Sequence, residues 1–323
     1  MKIPISWGIE SLDELTGGIQ PAALTLLYGD TTSGKTTLSG YVTIARIAKH
    51  LLQKGGIPEG ANFYVVDGDG GWDIERASEV WQQHGLDPEL IKRHLVFKEV
   101  SDFGEQHEYI TKRLPERMEK GERPLLLVAD SLTAFYRREM LREPKRVPAI
   151  LEMGGKLDLQ VGKLRKLAVE YNCPAFVTTW PSSPITQTAR EAKIRSLMKE
   201  HSLSRAEAEQ VVPKSGIDLI GGKGMLSFSR LIIRLSIPKE GEPLREARLV
   251  KAKDLPTGRS TFFYLCDAGI SDVEKKIGER VEKRPVEKPK KERVEKPKKK
   301  AVGKPAGRRE DILEDFLAKL REE

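Results

Sequence analysis

The stretch Leu24–Thr37, LTLLYGDTTSGKTT, constrains the fold of this chain more than any other. Leu24-Thr25-Leu26-Leu27-Tyr28 is an apolar run with the length of a short buried strand. It passes directly into Gly29-Asp30-Thr31-Thr32-Ser33-Gly34-Lys35-Thr36, which satisfies G-x-x-x-x-G-K-[ST] at each fixed position. Beyond Thr37, Leu38, Val42, Ile44, Ile47, Ala48 and Leu51 recur as one apolar stripe at helical spacing. Strand, glycine loop and helix in that order make a phosphate site, because the loop N–H groups and the helix N-terminus converge on one place. In such a P-loop Lys35 reaches the β- and γ-phosphates and Thr36 holds Mg²⁺. The pattern implies a nucleoside triphosphate without saying what the chain does with it.

The remaining apolar runs alternate with helical patterns. Ala61–Val66, Leu95–Phe97, Pro124–Ala129 and Ala175–Thr179 have strand character. Helical spacing occurs at Ile9, Leu12 and Leu15, over Ile74–Trp81, from Ile110 to Met118, and over residues 150–171. Ser11 is the expected N-cap of the first helix and Gly17-Gly18 its stop. This alternation predicts an α/β fold with a mostly parallel sheet covered on both faces. Leu231–Leu235, Glu246–Ala252 and Ser260–Cys266 then predict an antiparallel extension. Cys173 and Cys266, the only cysteines, sit in apolar runs away from any metal-spaced partner, so both read as buried thiols in a reducing compartment. No run approaches a membrane span, and MKIPISWGIESLDEL has no apolar leader segment, so an intracellular protein without a membrane partner is expected.

Charge is distributed unevenly. The net charge of +8 and pI of about 9.2 favour an anionic partner. Residues 272–309 carry sixteen Lys/Arg against seven Asp/Glu, about +9, and include the near repeat VEKPKK at 286–291 and 294–299. A segment this charged and this poor in apolar residues does not bury enough surface to fold. Arg309–Glu323 closes the chain with Ile312, Leu313, Phe316, Leu317 and Leu320 on one helical face, suited either to a partner or to docking on the core. The expected domains are a core over 1–272, a disordered basic tail over 273–308 and an amphipathic helix over 309–323. Within the core, residues 182–217 form a long polar excursion, basic at Arg190, Lys193, Arg195 and Lys199, with Ser204-Arg205-Ala206-Glu207 as a capping box.

Phosphoryl chemistry also needs a metal-positioning acid and a group that orients water. Asp130, ending the strand Leu125–Ala129, stands where a Walker B carboxylate belongs. Asp67, Asp69 and Asp73, all beyond the second strand, are candidates for activating water, and Asp69 in its glycine-rich turn is the best placed.

Taken together, these motifs resemble the RecA-like recombinases, and within them the archaeal RadA/RadB group, most closely the RadB branch. The resemblance covers roughly residues 5–272. Ile5–Gly8 and Leu12–Gly18 are similar to the family's entry segment, and Val65–Gly71 with Ile74-Glu75-Arg76 to its D-T-E-G-G…P-E-R stretch. Ser101–Gln106 is similar to a run in RadB, and Val128–Arg137 to the Walker B segment V-D-S-[VIL]-T-x-x-[YF]-R. Gly221-Gly222 and Ala268–Val273 follow in family order. The resemblance implies a RecA-like P-loop NTPase core, ATP with Mg²⁺ bound by Gly29–Thr37, Arg76 stacked on adenine, Asp130 near the metal, and Asp69 in the general-base position. It also implies single-stranded DNA as partner, faced by Arg137, Arg138, Arg142, Lys145 and Arg146 and by Arg190, Lys193 and Arg195.

Three departures qualify that picture. Asp69 replaces a glutamate, one methylene short. Thr179-Trp180 replaces an Asn-Gln pair whose glutamine couples the γ-phosphate to the DNA loop. The residues before the P-loop hold only the entry segment, so no separate N-terminal DNA-binding domain is expected. The reading that follows is an ATP- and DNA-binding accessory protein of recombination and repair, with hydrolysis slow at best. Its rivals are an active filament-forming recombinase, a scaffold recruiting a recombinase, nuclease or polymerase through the tail and terminal helix, and a KaiC-like regulatory ATPase. A homo-oligomer is compatible with the first of these.

Overall fold

The computed structural model describes residues 4–142, 147–181, 194–199, 204, 205, 208 and 219–274. The chain divides into two units, 1–278 and 279–323, and the second lies outside the described residues, as do the terminal helix expected over 309–323 and the expected basic tail beyond residue 274.

Nine strands form one sheet in the order β3-β2-β4-β5-β1-β6-β7-β8-β9. They are β1 (Ala23–Gly29), β2 (Ala61–Asp67), β3 (Leu95–Glu99), β4 (Arg123–Asp130), β5 (Pro174–Thr179), β6 (Leu231–Ser236), β7 (Leu244–Ala252), β8 (Ser260–Cys266) and β9 (Gly269–Ser271). Strands β3 to β6 in that spatial order are parallel, and β6–β9 pair antiparallel. Every residue of β1 is buried, which is why it reads as a continuous apolar run and not an alternating one. The chain leaves β1 for distant β2 and later returns beside β1 with β5 and β6. The loop after β1 therefore opens at a topological switch point, where open α/β sheets take ligands.

Helices cover both faces. On one, α1 (Glu10–Thr16), α2 (Thr43–Leu52) and α3 (Ile74–Gln83) bury Leu12, Ile44, Ile47, Val80 and Trp81 against Leu27, Phe63, Val65 and Phe176. On the other, Ile110, Leu114, Leu157, Val161 and Leu164 pack on Leu24, Leu26, Tyr64 and Leu127. These come from α6 (Leu114–Glu119), α8 (Val147–Glu170) and the turn between α5 (Phe103–Glu108) and α6. Three helices, α4 (Pro88–Arg93), α7 (Ala134–Arg142) and α9 (Gly222–Phe228), and strand β9 carry no counterpart in the sequence reading; Arg137, Arg138 and Arg142 lie on α7 and not in a loop. Cys173 and Cys266 are both buried, as expected. None of the helices among the described residues is long and apolar enough to cross a membrane.

Four local expectations need correction. Ser11 does not cap α1; the N-cap position is Ile9, which makes no side-chain cap. The cap comes from the far end of the core, where the Asp272 carboxylate accepts from Glu10 N (2.7 Å) and Ser11 N (3.3 Å). The stripe after the P-loop is not one α-helix, because Thr37–Val42 is a π-helical turn before α2. A Cβ on Gly40 in that turn would lie 2.3 Å from Trp72 Cζ3, so the glycine is required by the ring's close approach. The helix expected from Ile110 begins at Phe103, capped by Asp102 through Glu105 N (2.8 Å), and passes a second π turn, Tyr109–Arg113. Ile74 is exposed and faces away from the core.

Candidate nucleotide-binding site

Pairing places the chemistry. Gly29, the last residue of β1, lies beside Leu235 of β6, and a Cβ there would meet Leu235 O at 2.1 Å. Only glycine allows the parallel strand to approach so closely at the point where the loop begins. Gly34 has φ +93° and packs on Leu265 of β8, so the antiparallel extension forms the wall behind the loop. Lys35 is buried and donates from Nζ to Gly29 O (2.8 Å) and Asp30 O (2.7 Å), closing the loop on itself. Burial lowers the Lys35 pKa, opposed by the negative charges of Asp130, Asp69 and Asp30. Ser33 is fully buried, and its Oγ has no partner among the described residues.

On the next strands, the β2–β4 register sets Asp67 beside Asp130. Asp130 is buried and accepts a hydrogen bond from the Thr178 hydroxyl. Burial raises its pKa, and Thr178, Thr36 and Lys35 act in the opposite sense. The P-loop threonine acts on the pKa of the strand-end acid, so the two groups that would share a metal ion lie in one neighbourhood. A buried Ser33 hydroxyl without a partner, a loop that only glycines close, and a Thr–Asp–Lys set at its mouth fit a triphosphate with Mg²⁺.

The three acids beyond β2 separate into different roles. Asp67 is buried, and its carboxylate accepts from Asp69 N (3.1 Å), Gly70 N (2.9 Å) and Trp72 N (3.0 Å), so it organises the turn. Asp73 caps α3 by accepting from Glu75 N (2.9 Å) and Arg76 N (3.0 Å). The Asp69 carboxylate accepts from one backbone donor, Gly71 N (3.2 Å), fewer than Asp67 or Asp73. Desolvation of its carboxyl, then the charges of Asp130 and Asp67, push its pKa up to about 6, and the Gly71 N–H pulls the other way. Arg76 Nη2 donates to Cys266 O (2.6 Å), one residue beyond the Leu265 that packs on Gly34.

Trp180 matters more than the sequence indicated. Lys35 Nζ lies 4.9 Å from the centroid of its ring and Arg137 Cζ 4.7 Å. Arg137 and Arg138 belong to α7 (Ala134–Arg142), and Arg138 lies over the Phe135 ring. Arg142 ends that helix, and Arg195 is exposed on a helical turn over 194–199. Lys145, Arg146, Arg190 and Lys193 lie outside the described residues. Among the described members of the expected DNA-facing set, Arg137 is the one that shares a ring, Trp180, with Lys35 of the phosphate loop. Thr178 was missed in the sequence because a threonine in an apolar strand carries no signal of its own.

Comparisons with known proteins place the chain in a family. The family model described as Rad51 matches residues 1–273. The chain belongs to the Rad51 family. Within that family, the DNA repair and recombination protein RadB of Thermococcus onnurineus is 31% identical over 83% of this chain and 97% of its own length. The protein of the same name from Thermococcus kodakarensis is 30% identical over 84% of this chain and 100% of its own. The crystal structure of the RadB recombinase superposes with a TM-score of 0.58 at 29% identity, over 84% of this chain and 100% of that one. The fold is RecA-like, with a mostly parallel sheet and antiparallel strands toward its C-terminal side.

Proposed function

We propose that this chain is a RadB-like ATP- and DNA-binding accessory protein of homologous recombination and DNA repair, in which ATP acts mainly as a conformational switch. Its relatives carry the name DNA repair and recombination protein RadB. The observation that carries the switch is the contact of Lys35 and Arg137 with one ring, Trp180.

ATP with Mg²⁺ supplies a concentrated negative charge and a transferable phosphoryl group. Gly29–Thr37 would hold the phosphates, Thr36 and Asp130 the metal, and Arg76 the adenine side. Lys35 divides its charge and donors among two loop carbonyls, the Trp180 ring and phosphate. Any part it commits to phosphate is withdrawn from Trp180, which alters the ring's hold on Arg137 and so on α7. Arg137, Arg138, Arg142, Lys145, Arg146, Arg190, Lys193 and Arg195 would neutralise phosphates of single-stranded DNA without reading its sequence. Asp69 would orient water, one methylene further from its target than a glutamate, which supports slow hydrolysis.

The test is single-stranded DNA affinity with and without ATP and Mg²⁺ for the intact chain, Lys35→Ala and a chain ending at Gly278. ATP is expected to tighten DNA binding in the intact and shortened chains and to have no effect in Lys35→Ala. ATP-dependence that survives in Lys35→Ala, with binding lost in the shortened chain, would refute the switch in favour of recruitment through the tail.

A further inference from the structure

Arg245 stands apart from the other charged residues of the core. It lies on β7, opposite Phe263 of β8, and is 8% exposed. Its Nε donates to Thr32 O (3.1 Å), and its Nη1 to Glu242 O (2.6 Å) and Leu244 O (2.8 Å). All three acceptors are neutral backbone carbonyls. Among the described residues no carboxylate forms an ion pair with it: the adjacent Glu246 accepts from the Ser236 hydroxyl, and Glu242 pairs its side chain with Lys239.

A buried cation without a counter-charge is costly, and chains keep one only where something offsets the cost. The acceptor that differs from the rest is Thr32. It is the middle of the loop between the two P-loop glycines, and it holds φ +62°, a strained value for a threonine. Arg245 thus grips the apex of the phosphate loop from behind, through the β-extension that also supplies Leu235 against Gly29 and Leu265 against Gly34. In a phosphate loop the backbone N–H groups turn toward the phosphates.

We infer that Arg245 is a positioning residue for the nucleotide, whose fixed positive charge behind Thr32 is balanced by the phosphate chain and makes the loop select for the number of phosphates. The inference rests on the nucleotide reading above and adds the residue that sets its selectivity. The reasoning is electrostatic. A fixed cation in a water-poor wall attracts a ligand in proportion to its charge, so it favours ATP over ADP and ADP over AMP. Backbone N–H groups and Lys35 supply the rest of the affinity and remain when Arg245 is replaced.

The experiment measures ATP, ADP and AMP affinities by calorimetry for the full chain, Arg245→Gln, Arg245→Lys and Lys35→Ala, with thermal melts of each. Arg245→Gln keeps a donor for Thr32 O and loses the charge. It is expected to weaken ATP binding by roughly tenfold, ADP by less, and AMP hardly at all. Arg245→Lys keeps the charge and loses the fork, and is expected to hold the wild-type ATP-to-ADP ratio within about threefold. Equal losses for all three nucleotides in Arg245→Gln would overturn the inference, because they mark a purely structural role. So would loss of the ATP-to-ADP ratio in Arg245→Lys, a readout that stands even if Arg245→Gln does not fold. Failure of the nucleotide reading itself looks different: the unaltered chain would bind none of the three, and Lys35→Ala would match it.

Discussion

Replacing Gly29 by alanine tests how the β-extension builds the phosphate loop. In the structure a Cβ at Gly29 would stand 2.1 Å from Leu235 O and 2.8 Å from Ser33 Oγ. Contacts of this kind do not go below 3.0 Å, so Leu235 and Gly29 must separate by about 0.9 Å. Neither partner is the flexible end of a side chain, since one is a β6 carbonyl and the other the end of β1. A binding site tolerates about 0.5 Å of misplacement, so a shift of this size reaches the loop. Overpacking against backbone costs about 2–3 kcal/mol, which lowers Tm by roughly 5–10 °C in a chain of this size. ATP affinity measured by calorimetry should fall at least tenfold. Gly155→Ala is the matched control: it lies in α8 with nothing within 4 Å of its added Cβ, and should leave ATP affinity unchanged while raising stability by about 0.5–1 kcal/mol. Wild-type ATP affinity and Tm in Gly29→Ala would refute the argument that β6 closes the loop.

Two further outcomes follow from the same geometry. Asp272→Ala removes the one side-chain cap on α1 among the described residues and should cost about 1 kcal/mol, read as a Tm drop of roughly 2–4 °C and faster amide exchange at Glu10 and Ser11. Asp69→Glu restores the longer acid and should raise ATP turnover on the order of tenfold to a hundredfold in a single-turnover assay, and no rise would mean that the shorter acid is not the limiting defect.

The sequence carried those parts of the fold that depend on local signals. The buried parallel strands were legible because both their faces are covered, so each is an unbroken apolar run ending in a site residue: Gly29, Asp67 and Asp130. The α1 cap was not, because its acceptor is 262 residues away at Asp272. The π turns were invisible because one extra residue per turn leaves the apolar spacing intact, and Gly40 explains itself only once Trp72 is seen against it. For α5 and α4 the signals were present and passed over. Asp102 with Glu105, whose carboxylate receives Ser101 N, is a capping arrangement, and Asp87-Pro88 is an N-cap followed by an N1 proline.

At the site, the P-loop was legible as a contiguous motif, and Asp130 by its place at a strand end. Asp69 was singled out by its glycine-rich turn; what only folding shows is how many backbone N–H groups its neighbours Asp67 and Asp73 receive. Trp180 read as a missing glutamine. Only folding brings Lys35 and Arg137, which are about a hundred residues apart in sequence, onto its ring.

The central claim is that Trp180 links the nucleotide to α7, the helix proposed to face DNA, and the most direct measurement is the ratio of single-stranded DNA affinities with and without ATP in Trp180→Ala. Two cation–π contacts at about 0.5–1 kcal/mol each correspond to a coupling of roughly 5- to 30-fold. The account predicts a ratio in that range for the unaltered chain and below about twofold in Trp180→Ala, with ATP affinity kept within about threefold. Full coupling retained in Trp180→Ala would contradict it.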